Sequence, residues 1–343
     1  MSQIIVGMDE SEHAAAALRW AMREGLARAW PVTAILAYSY LDQHNLGAEH
    51  FEPDYDHDAA AAILDQVVVR AVGEDAAVDI HRQAVCALPV DTLVEASTHA
   101  DLLAVGARGH GGFSELLVGS VSSRCLQRAV CPVVVVREAA GRPGQHLDHI
   151  VVGVDGSDSS GGALRWALDS ARVHEATVEV VHAWQPPAFT GTYRGTSVDP
   201  TLFLDAGQAA LDRIVDAADT AGVTVKRSLV CDGAARALLE AATDADLVVV
   251  GSRGLGRVKS LLLGSVSHQV VEHAPCPVVV VPTDRCASHE TRHDAHCPAC
   301  GGEDMDVAVT PSGECYDRCV DCGRLWKVQG RDRRLIVETE RRR

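Results

Sequence analysis

Two doubly wound α/β domains in tandem, each built on a parallel sheet and followed by a small cysteine-bearing module, form the architecture the sequence predicts. Three observations predict it. Short Val, Ile and Leu runs alternate with longer helical patterns through residues 1–284. The whole pattern is written twice. Past residue 295 the chain changes character and carries two Cys-x2-Cys-Gly turns.

In the first copy, strands are expected at Gln3–Met8, Val32–Tyr38, Val78–Val85, Leu102–Gly106 and Val133–Val136. Helical stretches lie between them near Ser11–Ala29, Ala59–Gly73, Val90–His99 and Ser120–Ala129. Strands that read as unbroken apolar runs are buried on both faces, which calls for a parallel sheet covered by helices. Pro-, Gly- and Asp-rich inserts at Ser39–Asp58 and Gln185–Thr201 read as loops.

The second copy follows from self-comparison. Ile5-Val6-Gly7-Met8-Asp9-Glu10-Ser11 returns as Val151-Val152-Gly153-Val154-Asp155-Gly156-Ser157, and Ala17-Leu18-Arg19-Trp20-Ala21 as Ala163-Leu164-Arg165-Trp166-Ala167, both 146 residues on. Leu117-Val118-Gly119-Ser120 matches Leu262-Leu263-Gly264-Ser265, and Cys131-Pro132-Val133 matches Cys276-Pro277-Val278, at an offset of 145. A nearly constant offset means duplication of a domain, with the copies at 1–140 and 147–284. Trp20 and Trp166 are expected in the core or at the domain interface rather than as base-stacking platforms.

After the fourth strand of each copy comes Gly-x2-Gly-x9-Gly-Ser, as Gly106, Gly109, Gly119 and Ser120, then Gly251, Gly254, Gly264 and Ser265. In an open parallel sheet, ligands bind beyond the carboxyl ends of strands. Glycines there admit an anion close to the backbone, and the helix starting at Ser120 or Ser265 offers free N–H groups and a favourable dipole. Ser122 and Ser267 add further hydroxyls. The first strand delivers Asp9 and Asp155 to the same edge, where a carboxylate can meet a ribose hydroxyl or Mg²⁺. The plainer alternative is that these Asp and Ser residues cap the first helix.

On these motifs both halves resemble universal stress protein domains of the ATP-binding branch. The resemblance implies a five-stranded parallel sheet of order 3-2-1-4-5 and one ATP per repeat, with Mg²⁺. The contacts implied are Asp9, Gly106, Gly109, Gly119 and Ser120 in the first copy, and Asp155, Gly251, Gly254, Gly264 and Ser265 in the second. Tyr38 and Ala183 fall near the adenine. It also implies pairing through the last strands, Val133–Val136 with Val278–Val281, as a dimer or pseudo-dimer.

Binding does not imply turnover. The chain has no Gly-Lys pair of the Walker type and no Gly-x-Gly-x-x-Gly after a strand. Phosphoryl transfer needs a positioned cation beside the metal; between the first two glycines of each loop stand only Arg108 and Arg253. The expectation is a nucleotide-dependent regulatory protein of the stress response, acting on a protein partner, with no catalytic residues and at most slow ATP hydrolysis. The alternatives are a Mg-dependent ATPase or nucleotidyl-transfer enzyme and a scaffold working through the C-terminal module.

Composition narrows the setting. The formal charge of −16 lies wholly in residues 1–284, because 285–343 hold eleven basic and eleven acidic residues. An acidic body argues against nucleic-acid binding. No apolar run is long enough to span a bilayer and no export signal opens the chain, so a cytoplasmic location is expected. Eleven cysteines, an odd number, speak against a disulfide framework. Cys86 and Cys231, at the ends of third strands, are read as small buried hydrophobes rather than redox sensors, and Cys131 and Cys276 likewise.

Residues 285–295 read as a linker. In 296–330, Cys297-Pro298-Ala299-Cys300 and Cys319-Val320-Asp321-Cys322 have zinc-ribbon spacing. Four thiolates leave no open position, so one structural zinc is expected, with Val307–Thr310 and Arg324–Val328 as strands. A redox dithiol pair is the alternative, and Cys315 or His296 stand near enough to exchange as ligands. The stretch 331–343, with six arginines against three acids, reads as a solvated basic tail.

Overall fold

The computed structural model describes residues 2–38, 57–73, 79–109, 118–137, 146–185, 201–254 and 263–283, and the backbone of four strands within 305–337. The chain divides into two units, Met1–Thr283 and Asp284–Arg343.

In the first unit β1 (Ile4–Met8), β2 (Val32–Tyr38), β3 (Ile80–Cys86), β4 (Leu102–Gly106) and β5 (Val133–Val136) alternate with α1 (Glu12–Arg28), α2 (His57–Val72), α3 (Pro89–Ala96) and α4 (Ser120–Arg128). The second repeat supplies β6 (His149–Gly153), β7 (Thr177–Trp184), β8 (Thr224–Cys231), β9 (Leu247–Gly251) and β10 (Val278–Val281), with α5 (Asp158–His174), α6 (Thr201–Asp216), α7 (Ala234–Ala241) and α8 (Ser265–His273). All ten strands join one sheet of order β3-β2-β1-β4-β5-β10-β9-β6-β7-β8. Pairing is parallel within each repeat. At the junction β5 and β10 run antiparallel, with Val135 opposite Val278 and Val133 opposite Val280.

Strand alternation explains the layers. Ile4, Val6, Val134 and Val136 face one core with Leu18 of α1, Leu64 of α2, Leu164 of α5 and Leu211 of α6. Ile5, Val133 and Val135 face the other, with Leu93 of α3, Leu126 of α4, Leu238 of α7 and Val270 of α8. Because β5 and β10 are neighbours, each core runs through both repeats. The run Ala14–Ala17 is wholly buried, since small side chains let α1 lie close to the sheet.

Not every strand is buried as the apolar runs suggested. β3 exposes His81, Arg82, Gln83 and Cys86, and β8 exposes Thr224, Lys226, Arg227 and Cys231. Both are edge strands, and charged side chains on an edge discourage pairing with another sheet. The reading of Cys86 and Cys231 as buried is therefore corrected: their thiols are exposed.

A polar bolt joins the repeats behind the sheet. Glu24 of α1, 2% exposed, accepts a hydrogen bond from His174 Nε2 of α5 at 2.9 Å and pairs with Arg28. Arg28 donates to Ser170 Oγ at 3.0 Å and stacks over Trp30 and Trp166, 4.9 and 5.6 Å from their ring centres. Trp20 is a core residue at 3% exposure. Trp166 serves the domain interface. Among the described residues, no helix is long and apolar enough to cross a membrane.

The second unit is a four-stranded antiparallel sheet of order β11-β12-β13-β14: Met305–Val309, Cys315–Cys319, Leu325–Gln329 and Asp332–Val337. β11 and β13 fall where strands were expected; β12 and β14 were not foreseen. β14 occupies part of the stretch that its charge count presents as a tail. Its Leu335-Ile336-Val337 run has the β-branched character that favours a strand, and a count of arginines does not register that.

Candidate functional site

The second repeat shows how the site is assembled. β6 carries the chain to Asp155, after which Ser157 caps α5 by accepting from the N–H of Ser160 at 3.2 Å. Ser157 N–H and Oγ both donate to Asp155 Oδ1, at 2.9 and 2.6 Å. Cap and carboxylate are thus one device: the serine holds the helix end and braces the aspartate. Asp155 Oδ2 is left toward the glycine loop, where a Cβ on Gly254 would lie 2.5 Å from it. A Cβ on Gly251, at the end of β9, would lie 2.5 Å from Ser159 Oγ and 2.8 Å from the Ser159 carbonyl carbon. Close approach, not left-handed backbone, is why glycine stands at both positions. None of the loop glycines is among the positive-φ residues described.

The first repeat repeats the design. Ser11 caps α1 by accepting from Ala14 N–H at 3.1 Å and donates to Asp9 Oδ1 from N–H and Oγ at 3.0 and 2.5 Å. A Cβ on Gly109 would sit 2.5 Å from Asp9 Oδ2, and one on Gly106 would sit 2.7 Å from the His13 carbonyl carbon. In both repeats the serine caps the helix and also binds one carboxylate oxygen, while the other oxygen lies against the second loop glycine.

Gly119 and Gly264 are the extended N-caps of α4 and α8, and neither helix start has a side-chain cap. Their first N–H groups are open to an anion. Ser120 and Ser265, the first residues of these helices, are exposed. Ser122 and Ser267 behave otherwise: both are buried, and their hydroxyls donate to the carbonyls of Gly106 and Ser252 at 2.6 and 3.3 Å. These two serines spend their hydroxyl protons holding the loop to its helix, though Ser267 still borders the cavity of the second repeat.

Asp155, Gly251, Gly254, Gly264 and Ser265 line one cavity of about 440 Å³. Its lining is of two kinds. Val154, Val181, Ala183, Leu238 and Val266 make an apolar wall, while the glycine loop and the start of α8 make a wall of backbone groups. Ala183, placed near an adenine by resemblance, lies on the apolar wall; Tyr38, its fellow candidate, is buried at the end of β2. Arg253 also lines the cavity. Its Nε, like that of Arg108 in the first repeat, is buried without a hydrogen-bond partner. The two nitrogens stand at the same loop position of their repeats, and a buried donor of this kind calls for an acceptor.

Sequence reasoning missed Ala234 and Leu238 of α7, which close the apolar wall. A signal existed: Leu93 and Leu238 sit at matching positions and pack against Gly7 and Gly153 respectively, within 2.8 and 2.9 Å of where a Cβ would be. Gly233-Ala234 is replaced by the bulkier Leu88-Pro89 in the first repeat, so the two walls are not the same.

Cys125, Cys131 and Cys276 are buried, and burial pushes each thiol up to about 12. They are inert packing residues at neutral pH. Of the four cysteines expected to hold zinc, Cys297, Cys300 and Cys322 lie outside the described residues, and Cys319 is described only as the last backbone position of β12. Among the described residues, no group of three or more His, Cys, Asp or Glu side chains is placed to hold a metal ion.

A duplicated, doubly wound α/β unit with a glycine loop and a helix start facing an apolar cavity defines a class of ligand-binding proteins. Comparison with known proteins gives the family. The universal stress protein family matches residues 1–137 and 146–282. A universal stress protein of Mycobacterium tuberculosis (strain ATCC 25618 / H37Rv) is 34% identical over 288 residues, covering 81% of this chain and 95% of that one. One from Mycolicibacterium smegmatis is 30% identical over 298 residues, covering 81% and 96%. Among solved structures, a universal stress protein from Archaeoglobus fulgidus shares the fold with a TM-score of 0.59 at 21% identity, over 82% of this chain and 98% of that one. The chain belongs to the universal stress protein family. The family match ends at residue 282, so the cysteine-bearing unit stands outside it.

Proposed function

We propose that each repeat binds one ATP, with Mg²⁺, and that the chain works as a cytoplasmic, nucleotide-dependent regulator in the stress response. The observation that carries this reading is the single cavity lined by Asp155 and all four motif residues of the second repeat. Its apolar wall suits a purine. Its glycine loop, helix start and Arg253 suit phosphates. About 440 Å³ is within the size range of small-molecule sites. Asp155, the carboxylate that lines the cavity among the described residues and is braced by a serine, suits a Mg²⁺ held mainly by the phosphates and water.

The test is native mass spectrometry and calorimetry with Mg-ATP on the full chain. Two ATP per chain are expected in the parent, and one in each of Gly109→Ala and Gly254→Ala, because the added methyl displaces the Asp9 or Asp155 carboxylate. The affected site should weaken by about tenfold or more. An unaltered two-site isotherm in both variants would show that the loops are not the binding sites.

For the C-terminal unit we infer one structural zinc held by Cys297, Cys300, Cys319 and Cys322. Met305, the first residue of β11, pairs with Cys319, the last of β12, so the strand ends that adjoin the two cysteine pairs in the sequence lie side by side. So small a unit lacks the core to fold unaided, and the metal supplies folding energy. A zinc-selective chelator, with Mg²⁺ kept in excess, should release one zinc per chain and increase proteolysis after residue 284 while leaving ATP binding unchanged. Full retention of the unit's protease resistance without metal refutes a structural zinc.

A further inference from the structure

We propose that Arg137 is a positioning residue that the first repeat contributes to the second repeat's nucleotide site, which makes the two sites unequal. The inference rests on the nucleotide reading above and adds to it a connection between the repeats.

The connection begins in the sheet. β5 and β10 run antiparallel, so the residue after Val136 emerges beside the other repeat's last helix. There Arg137 Nη2 donates to the carbonyls of Val271 and Glu272 at 2.6 and 2.5 Å. Both belong to the last turn of α8, whose final four carbonyls have no partner within the helix. Ala274 N–H takes the Val270 carbonyl at 2.9 Å. Arg137 takes the next two. The opposite end of this nine-residue helix is Gly264-Ser265, the wall that faces the cavity. A cation at the carboxyl end of a helix also stabilises its dipole, and the helix start is the end that would meet phosphate.

The arrangement has no counterpart in reverse. In the repeat register Val136 corresponds to Val281, so Arg137 corresponds to Pro282, which has neither an N–H nor a charge. α4 therefore gets no such support from the second repeat at that position. Arg137 also neighbours the first glycine loop: Ala107 N–H bonds to the Val136 carbonyl at 2.7 Å, and Gly119 N–H to the Ala107 carbonyl at 2.7 Å. Burial, and then the like charge of Arg108, lower the Arg137 guanidinium from its ordinary value, against the pull of Glu272. An anion bound beside Arg108 would offset that repulsion, so occupancy of the first site should be felt at α8. His268 and His273 lie beside Glu272 on the same helix.

The experiment measures Mg-ATP binding by calorimetry in single-site chains, Gly109→Ala retaining the second site and Gly254→Ala the first. It is done at about 0.3 M salt to screen the bare charge change beside Arg108. Adding Arg137→Gln should weaken the second site roughly three- to fivefold and the first site less than about twofold. Arg137→Lys, which keeps a charged donor near the carbonyls, should recover part of the loss; if Arg137→Gln does not fold, the lysine variant alone should show a smaller loss confined to the second site. Equal weakening of both sites, or none at the second, overturns the inference while leaving the nucleotide reading intact. Failure of the parent chain to bind ATP at all overturns both.

Discussion

Gly106→Ala and Gly251→Ala should each lower the melting temperature by roughly 5 °C and remove ligand binding from the repeat that carries the change. The reason is what the new methyl meets. At Gly106 it would lie 2.7 and 2.8 Å from the His13 carbonyl carbon and the Ala14 nitrogen, both backbone atoms of the start of α1. At Gly251 it would lie 2.8 Å from the Ser159 carbonyl carbon in α5. A side chain could rotate away; a helix backbone must move off the sheet as a body. Overpacking of this kind costs about 3 kcal/mol at the upper end of the usual range. The same displacement carries Ser11 or Ser157 with it, and with them the braced carboxylate of Asp9 or Asp155. Gly119→Ala is the control, since its Cβ would meet nothing nearer than 3.5 Å. Thermal denaturation of the three variants beside the parent decides the matter: similar midpoints for Gly106→Ala and Gly119→Ala would show that the close packing of α1 on β4 is not real.

Glu24→Ala should cost about 3–5 kcal/mol, because it removes the centre of a buried charge network rather than a surface pair. The variant leaves His174 and Arg28 facing each other across the repeat interface with no acceptor between them. Burial by itself would raise the Glu24 carboxyl; the hydrogen bond from His174 and the charge of Arg28 outweigh it and hold the group below its ordinary 4.5. A carboxyl depressed in the folded state favours folding above its unfolded value, and that contribution is lost as the pH falls through the folded one. Acid unfolding of the parent should therefore show a stability loss below about pH 4.5 that Glu24→Gln, unable to titrate, does not share. Urea titrations from pH 7 to pH 3 test this. Parallel stability profiles for parent and Glu24→Gln would mean that Glu24 does not contribute in this way.

Much of the architecture was legible in the sequence, for identifiable reasons. β2, β4 and β5 begin and end where their apolar runs do, because central parallel strands are buried on both faces and their composition shows it. Ser11 and Ser157 marked their helix starts because capping is a local interaction with a local signature. The duplication mattered most. It showed that Asp9 and Asp155, and the two glycine series, answer to one requirement. The second series does meet in one cavity.

Other features depended on neighbours far away in the chain. Cys86 and Cys231 stand in apolar-looking runs, yet they are exposed because β3 and β8 end the sheet, and an edge is a property of strand order. Ser122 and Ser267 looked as available to phosphate as Ser120 and Ser265. Two residues further along the helix the hydroxyl meets a loop carbonyl, and only the packing of helix and loop at the ends of β4 and β9 decides which hydroxyl proton is consumed.

By itself, then, the sequence determined the repeated α/β plan, the loops and the aspartates, since these follow from periodicity, turn chemistry and self-similarity within short stretches. The tertiary structure alone decided how the repeats meet, where Glu24 reaches His174 across 150 residues and Arg137 reaches α8 across 135. Such contacts arise from the antiparallel meeting of β5 and β10 in space, and no pattern along the chain encodes which distant carbonyl or carboxylate a side chain will find.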